Sequence, residues 1–498
     1  MFRKHLKIVS VSAELHPFSQ TGGLANVAES LPVALHKLGH TAICVTPLYG
    51  KIIDKQKFNL QLFQEKAEVI LDSENKIAVN YWLGELLGGP KVYFVENEKY
   101  FSKRDSLYGS EHENARFLLF NIAALKLLTI LKFRADIIQC HDWHAGLIPY
   151  FLRRDFKSSS VLKHTATVFT IHNIIYQLGR NWWEISPEKR DDGKSKLPFF
   201  NDPTLENINF AKRAVLNAEV VNTVSETYAK EILTKEKGQG LHVLLENRQD
   251  RLYGIINGIE HGDYNPATDP GLYVNYSVKE LDKRAANKAW LQKKYNLTIS
   301  EKVPLLVMSS RIAYEKGFNL VLDILDHLGR YDIQILVMGD GDKNYINEIT
   351  KIGKKYPKKI IWTPFDDKRE TGLYAGGDLI LLPSNTEPCG INIMKAMRYG
   401  CIPIVHSVGG PKDTIANFDF NNRDGNGFSF ANYSALSLYG AILRALEYYK
   451  NKKIWRHLVA QDMHSSFTWD LPAGRYVHLF KKAIKLHQES AQNANVQK

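Results

Sequence analysis

Two loops of the sequence carry the charges needed to stabilise a departing anion. Ser310-Arg311-Ile312-Ala313-Tyr314-Glu315-Lys316-Gly317 follows the apolar run Leu305–Ser309. Its cations, Arg311 and Lys316, can converge on a diphosphate leaving group, doing without a metal what magnesium does in other transferases. A solvated loop with two ordinary surface charges has the same spacing, but the position at a strand's carboxyl end favours function. Leu381-Leu382-Pro383-Ser384-Asn385-Thr386-Glu387-Pro388-Cys389-Gly390-Ile391-Asn392 leads from a buried strand through one carboxylate into a helix. Glu387 can bind sugar hydroxyls or support a positively charged transition state, with the N–H groups of Cys389, Gly390, Ile391 and Asn392 facing the ligand. Capping of the helix dipole explains a carboxylate there equally well. Val408-Gly409-Gly410-Pro411-Lys412-Asp413-Thr414 repeats the strand, turn and helix order, so Gly410 and Thr414 mark a second helix start suited to a diphosphate.

The first half of the chain has a matching set. Gln20-Thr21-Gly22-Gly23-Leu24-Ala25-Asn26 precedes a helical pattern running to about Leu38, with Pro32 a kink point. Gly22 and Gly23 let backbone approach a ligand, and the helix start offers N–H groups to a phosphate; a tight strand-to-helix turn would look the same. Cys140-His141-Asp142-Trp143-His144 and Thr170-Ile171-His172-Asn173 each end an apolar run, where Asp142 and His172 can hold sugar hydroxyls and Trp143 can pack behind them. His141 and His144 lack a third ligand, so no metal site is assigned. Asp340-Gly341-Asp342 is read as a turn rather than a carboxylate metal pair.

The elements that must position these residues alternate along the chain. Strand-like runs Ile8–Ala13, Ala42–Thr46, Val92–Val95, Ile137–Cys140 and Val168–Ile171 are separated by helical patterns such as Ala115–Leu131, which predicts parallel α/β units. The polar stretch His261–Asn275 marks a connection, after which Leu305–Ser309, Ile333–Met338, Ile360–Trp362, Leu379–Leu382 and Ile402–Val405 restart the alternation. Helical patterns follow over Leu436–Tyr449, Ile454–Met463 and Ala473–Leu486, then a polar tail, Gln488–Lys498, expected to fray. Ligands of such open sheets bind outside the strand carboxyl ends.

Composition narrows the class. The 498 residues exceed one hydrophobic core, and 44% hydrophobic with 24% charged residues is that of a globular chain. A net charge of +12 favours anionic ligands, but there is no basic-aromatic motif for nucleic acid. Four dispersed cysteines, Cys44, Cys140, Cys389 and Cys401, argue against a disulfide framework. No run approaches a membrane span, and the N-terminal apolar run is too short for a signal peptide. A cytoplasmic location is expected, or a plastid stroma in a plant-like source.

Taken in order, and with Asn222-Thr223-Val224-Ser225, Tyr228-Ala229-Lys230-Glu231, Ile256-Asn257-Gly258-Ile259, Asn265-Pro266-Ala267-Thr268-Asp269-Pro270, Trp469 and Tyr476, these segments resemble bacterial glycogen synthase and plant starch synthase over nearly the whole chain. Those enzymes are retaining glucosyltransferases of the GT-B fold. The resemblance implies an α/β architecture of two Rossmann-like, doubly wound domains facing across a cleft. Residues 1–258 would form the acceptor-side domain and 259–468 the nucleotide-sugar domain, with 469–498 a helix crossing back to the first domain plus a polar tail. It implies transfer of glucose from a nucleoside-diphosphate glucose, ADP-glucose favoured over UDP-glucose, to the non-reducing 4-OH of an α-1,4-glucan, with no cofactor and no metal. The implied catalytic set is Glu387, Arg311, Lys316, His172 and Asp142; the substrate-binding set is Gln20, Gly22, Gly23, Asn26, Asn257, Cys389, Gly390, Ile391, Gly410 and Thr414.

The chain departs from the family at several points. Gln20 replaces the lysine of Lys-Thr-Gly-Gly-Leu, and Asn26 replaces an acidic residue, removing one charge of each sign. Ser384-Asn385-Thr386-Glu387-Pro388 replaces Ser-Arg-Phe-Glu-Pro, and Glu260 replaces the aspartate of Asn-Gly-Ile-Asp. The alternative reading is a non-catalytic homologue that binds glucan or primes granules; glucan phosphorylase, which needs pyridoxal phosphate, shares the fold. Restoring the cation tests the glycine turn: Gln20→Lys should lower the Kd for the nucleotide sugar about tenfold by adding a charge-assisted hydrogen bond. Unchanged Kd and turnover, with or without Asn26→Asp, would show that the turn does not touch the donor.

Overall fold

The computed structural model describes residues 5–109, 111–419, 421–422 and 424–496. The chain divides into two compact units, Met1–Ile255 with Trp469–Lys498, and Ile256–Thr468. In the first unit nine strands, β1 (Lys7–Val11), β2 (Thr41–Pro47), β3 (Gln61–Ile70), β4 (Lys76–Glu85), β5 (Lys91–Glu96), β6 (Ile137–His141), β7 (Ala166–Ile171), β8 (Val220–Thr223) and β9 (Leu252–Gly254), form one sheet in the order β3-β4-β5-β2-β1-β6-β7-β8-β9. In the second, β10 (Leu305–Ser309), β11 (Gln334–Met338), β12 (Ile360–Thr363), β13 (Leu379–Leu382), β14 (Ile402–His406) and β15 (Phe428–Phe430) follow the order β12-β11-β10-β13-β14-β15.

The central strands are buried on both faces, as continuous apolar runs in a helix-covered parallel sheet require. Leu305–Ser309 pairs in parallel with both Gln334–Met338 and β13. Each sheet winds outward from one strand and then reverses: β1 to β2 and β5 on one side, β6 to β9 on the other; β10 to β12 on one side, β13 to β15 on the other. Neighbouring crossovers at β1/β6 and at β10/β13 therefore leave in opposite directions, and the backbone opens a crevice at their carboxyl ends.

Two expectations change. The first sheet is not wholly parallel: β3 and β4 form an antiparallel hairpin, and β4 pairs antiparallel with β5. These strands are half-exposed and mixed in polarity, so they lack the apolar runs that mark buried strands. The polar tail, expected to fray over Gln488–Lys498, is helical as far as Val496, the last helix running Asp470–Val496, and its final two residues lie outside the described residues; Gln, Glu, Ala and Ser are acceptable helix residues and polarity is no helix breaker. Pro32 lies inside an unbroken helix, Gly23–Lys37.

The last helix is fastened to the first unit by His487. Its Nδ1 lies 3.0 Å from Glu219 Oε1 and its Nε2 3.1 Å from the Lys163 carbonyl. Both ring nitrogens face acceptors, so the ring binds best as imidazolium. The hydrogen bond to Glu219 raises the His487 pKa from its ordinary 6.5, against the effects of burial and Arg153. Burial alone would raise the Glu219 pKa, but His487, Arg153 and Thr167 overcome it and hold the carboxyl below 4.5. The histidine's contribution is complete below its unfolded pKa and is lost as pH rises through the raised folded value; the glutamate's is lost as pH falls through its lowered one. His487→Gln should therefore lower Tm more at about pH 5.5 than at about pH 9. A Tm difference independent of pH would remove the imidazolium from the fastening.

Candidate functional site

The second unit brings Lys316 and Glu387 together at the β10/β13 crevice. Lys316 Nζ donates to Glu387 Oε2 at 2.6 Å, and the Ser384 hydroxyl donates to the same oxygen at 3.3 Å. Glu387 is 9% exposed, so this is a mostly desolvated pair, which needs its partner and added hydrogen bonds to be tolerated. Backbone stitching sets the geometry. Asn385 N–H donates to the Glu315 carbonyl at 2.9 Å, and Gly317, at φ +80°, passes so near Pro383 that a Cβ would lie 2.1 Å from its carbonyl oxygen. Arg311 is exposed and pairs with Glu315 rather than with Lys316's partner.

The glycine pair after β14 serves this loop. A Cβ on Gly409 would stand 2.0 Å from the Glu387 carbonyl oxygen, and one on Gly410 1.9 Å from that of Cys389. Gly410 N–H is donated to the carbonyls of Glu387 and Pro388, at 3.1 and 3.2 Å, and the Thr414 hydroxyl to the Gly410 carbonyl at 2.9 Å. These groups are thus occupied in holding the Glu387 loop. Gly390, at φ +78°, begins the helix Ile391–Arg398, whose Asn392 side chain donates to the Ser309 carbonyl at 3.2 Å. Asn257 is buried with its Oδ1 unpartnered, beside Cys389; burial pushes the Cys389 thiol up to about 12.

In the first unit, β6 and β7 end side by side and deliver Asp142 and His172 together. His172 N–H donates to Asp142 Oδ1 at 2.8 Å. Asp142 sits at φ +53°, an uncommon backbone for a residue with a Cβ and one often kept at functional positions. Burial raises its carboxyl to about 7, partly opposed by the His172 and Asn173 N–H groups. Burial lowers His172 to about 3. Its Nε2 lies 2.9 Å from His141 Nδ1. Trp143 is buried as expected, with its ring 5.0 Å from that of Phe117.

The glycine turn holds a residue that sequence reasoning missed. The buried Glu14 carboxylate accepts from Thr21 N–H and Thr21 Oγ1, each at 2.6 Å, from Gly22 N–H at 3.3 Å and from Tyr108 OH at 2.7 Å. A carboxylate of the chain thus occupies the first N–H groups expected to meet a ligand anion. Gly22 keeps an open face, with nothing within 4 Å of where a Cβ would be. Gln20 and Gly23 are exposed and Asn26 is half-buried. The available signal was a lone acidic residue just after the first apolar run, seven residues before Thr21 of Thr21-Gly22-Gly23, a helix start that favours an anion. Tyr108, stacked on His144 at 4.9 Å, carried no motif.

Among the described residues no group of three His, Cys, Asp or Glu side chains is placed to hold a metal ion, and no helix is long and apolar enough to cross a membrane. The four cysteines are buried and unpaired.

Comparison with known proteins matches this arrangement. The family profile "Starch synthase catalytic domain" covers residues 7–247, and "Glycosyl transferases group 1" covers 292–457. Glycogen synthase 2 of Geobacter sulfurreducens is 37% identical over 96% of this chain and 99% of its own length. The chain belongs to the glycogen and starch synthase family. It is a glucosyltransferase of the GT-B fold. Glycogen synthase of Thermotoga maritima is likewise 37% identical, over 96% of this chain and 99% of its own. The catalytic domain of starch synthase IV from Arabidopsis thaliana, solved bound to ADP and acarbose, superposes with a TM-score of 0.84 at 28% identity, covering 96% of this chain and 99% of that one. Sucrose-phosphate synthase from Thermosynechococcus elongatus shares the fold, with a TM-score of 0.61 at 15% identity and coverage of 96% and 99%.

The Glu14 hub predicts a stability effect in this glucosyltransferase. Glu14→Ala removes the acceptor of the Thr21, Gly22 and Tyr108 donors, and losing these part-buried hydrogen bonds costs about 1–3 kcal/mol in total. Urea unfolding should show that loss; an unchanged midpoint would mean that the turn is held by other contacts.

Proposed function

We propose that this glucosyltransferase moves glucose from a nucleoside-diphosphate glucose, ADP-glucose in preference to UDP-glucose, to the 4-OH at the non-reducing end of an α-1,4-glucan, with retention of configuration and without a metal ion. The observation that carries the reading is the Lys316–Glu387 pair at the carboxyl ends of β10 and β13. The ADP and acarbose held by starch synthase IV support both the nucleotide and the glucan. The bacterial relatives and the unpaired cysteines support a cytoplasmic location.

In this mechanism Lys316 and Arg311 neutralise the diphosphate as the glycosidic bond breaks, with the exposed Arg311 side chain leaving Glu315 for the phosphates. Glu387 supports the oxocarbenium-like sugar, and the N–H groups of Cys389, Gly390 and Ile391 at the helix start add positive potential. Asn257, with its orphaned Oδ1, is a ready acceptor for a ligand hydroxyl. Asp142 and His172 hold sugar hydroxyls, and the Gln20, Gly22, Gly23 and Asn26 turn lines the acceptor-side domain. The acceptor attacks from the face the diphosphate leaves, so no covalent enzyme intermediate is needed.

Turnover of ADP-glucose with glycogen as acceptor tests the reading. Glu387→Ala should lose most activity while remaining folded, since one preorganised electrostatic contact is worth on the order of 3 kcal/mol, or more than a hundredfold in kcat. Lys316→Ala should depress kcat more than it raises KM, because charge on the leaving group grows toward the transition state. EDTA should leave the wild-type rate unchanged. Full turnover by Glu387→Ala, or chelation that magnesium reverses, would overturn the assignment.

The carboxyl of Asp142 adds a pH signature. With its pKa raised to about 7 by burial, the ionised form that accepts from a sugar hydroxyl gains population as pH rises through that value. Acid-raised burial contributes stability in full below the unfolded value and loses it as pH rises through 7. kcat/KM should therefore climb between about pH 6 and pH 8, Tm should fall between about pH 4 and pH 7, and Asp142→Asn should flatten both profiles. A limb that persists in Asp142→Asn would assign the titration elsewhere.

A further inference from the structure

Beneath His172 lies a chain of hydrogen-bonding groups that spans three adjacent strands. Ser10 is on β1, His141 ends β6, and His172 follows β7; these strands are consecutive in the sheet. Ser10 Oγ lies 3.1 Å from His141 Nε2, and His141 Nδ1 lies 2.9 Å from His172 Nε2. Ser10 is 3% exposed and His141 fully buried. Among the described residues His141 has these two hydrogen-bond partners, and Ser10 Oγ has His141 alone.

Two imidazoles facing each other nitrogen to nitrogen must share one proton: two would repel, and none would leave two lone pairs opposed. Burial lowers both rings well below the ordinary histidine value, so both are neutral and each carries a single N–H. Only two arrangements then exist. In one, His172 Nε2–H donates to His141 Nδ1, His141 Nε2–H donates to Ser10 Oγ, and the buried serine proton has no acceptor. In the other, Ser10 O–H donates to His141 Nε2, His141 Nδ1–H donates to His172 Nε2, and the donors of Ser10 and His141 are both satisfied. Leaving a buried hydroxyl without an acceptor is the costlier choice.

We propose that Ser10 and His141 are positioning residues that fix His172 as its Nδ1–H tautomer, so that its remaining ring nitrogen is a neutral hydrogen-bond donor available to a substrate hydroxyl. This deepens the role given to His172 above and rests on that reading. A donor there recognises a hydroxyl through its lone pairs; the other tautomer would present a bare nitrogen and could only accept. A neutral donor also adds no cation beside an oxocarbenium-like sugar, whose charge an imidazolium would oppose.

The test uses the full-length protein labelled with 15N in its histidine rings. Two-bond proton–nitrogen correlations report which nitrogen of each neutral ring carries the proton, with the His172 pattern assigned by its loss in His172→Gln. The wild type should show the proton on Nδ1 of His172 across about pH 6–8. Ser10→Ala, which removes only the hydroxyl, should shift His172 toward the Nε2–H form and lower kcat about three- to tenfold, with KM for the donor within about twofold. A proton on Nε2 of wild-type His172, or a Ser10→Ala protein with unaltered tautomer and kcat, would overturn the proposal. The spectra need no substrate, so failure of the glucosyl-transfer reading would appear in the Glu387→Ala assay and leave the tautomer result standing.

Discussion

The placing of every candidate site loop in this protein depends on a reversal of winding in its two sheets. Parallel strands connected by right-handed crossovers place successive helices on one face until the chain skips back across the starting strand, after which they fall on the other. At that strand pair the two outgoing loops diverge and leave their backbone groups without a neighbour. The reversals fall at β1/β6 and β10/β13, and the glycine turn, Asp142, Lys316 and Glu387 all lie just beyond those strands. The apolar, doubly covered strands make the crevices rigid, since neither sheet can shift register without turning buried side chains outward.

Within each crevice, charge is controlled by partners drawn from neighbouring loops. Glu387 is held by Lys316 and Ser384, and its backbone is pressed by Gly409 and Gly410. Glu14 is held by Thr21, Gly22 and Tyr108. In both cases a carboxylate takes N–H groups or a cation that would otherwise face solvent, so the loop is ordered by the chain's own groups. Gln20 and Asn26 take no part in this internal ordering, because neither is among the partners of Glu14.

Burial does the opposite work on Asp142, His141 and His172. There the loops admit little water, so the charged forms are disfavoured: the acid rises to about 7 and the His172 imidazole falls to about 3. A region of neutral, directional hydrogen bonds in one unit is thus paired in the sequence with a region of fixed opposite charges in the other.

The amino-acid sequence alone determined the alternating α/β class and the identity of most buried strands, because continuous apolar runs bounded by glycine and polar turns have few other folds open to them. It also singled out Arg311, Lys316, Glu387, Asp142 and His172, each at a strand's carboxyl end. It did not reveal the β3–β4 hairpin, whose exposed, mixed strands have no burial pattern to read, nor the helical course of the polar tail, where composition and conformation part company. Tertiary structure alone decided which loops meet. Glu14 and Tyr108 are 94 residues apart, Lys316 and Glu387 are 71 apart, and Ser10 and His141 are 131 apart. Pairings at such separations follow from the order of strands in a sheet, which local periodicity does not encode, and so the roles of Glu14, Tyr108, Ser10 and His141 became visible only in three dimensions.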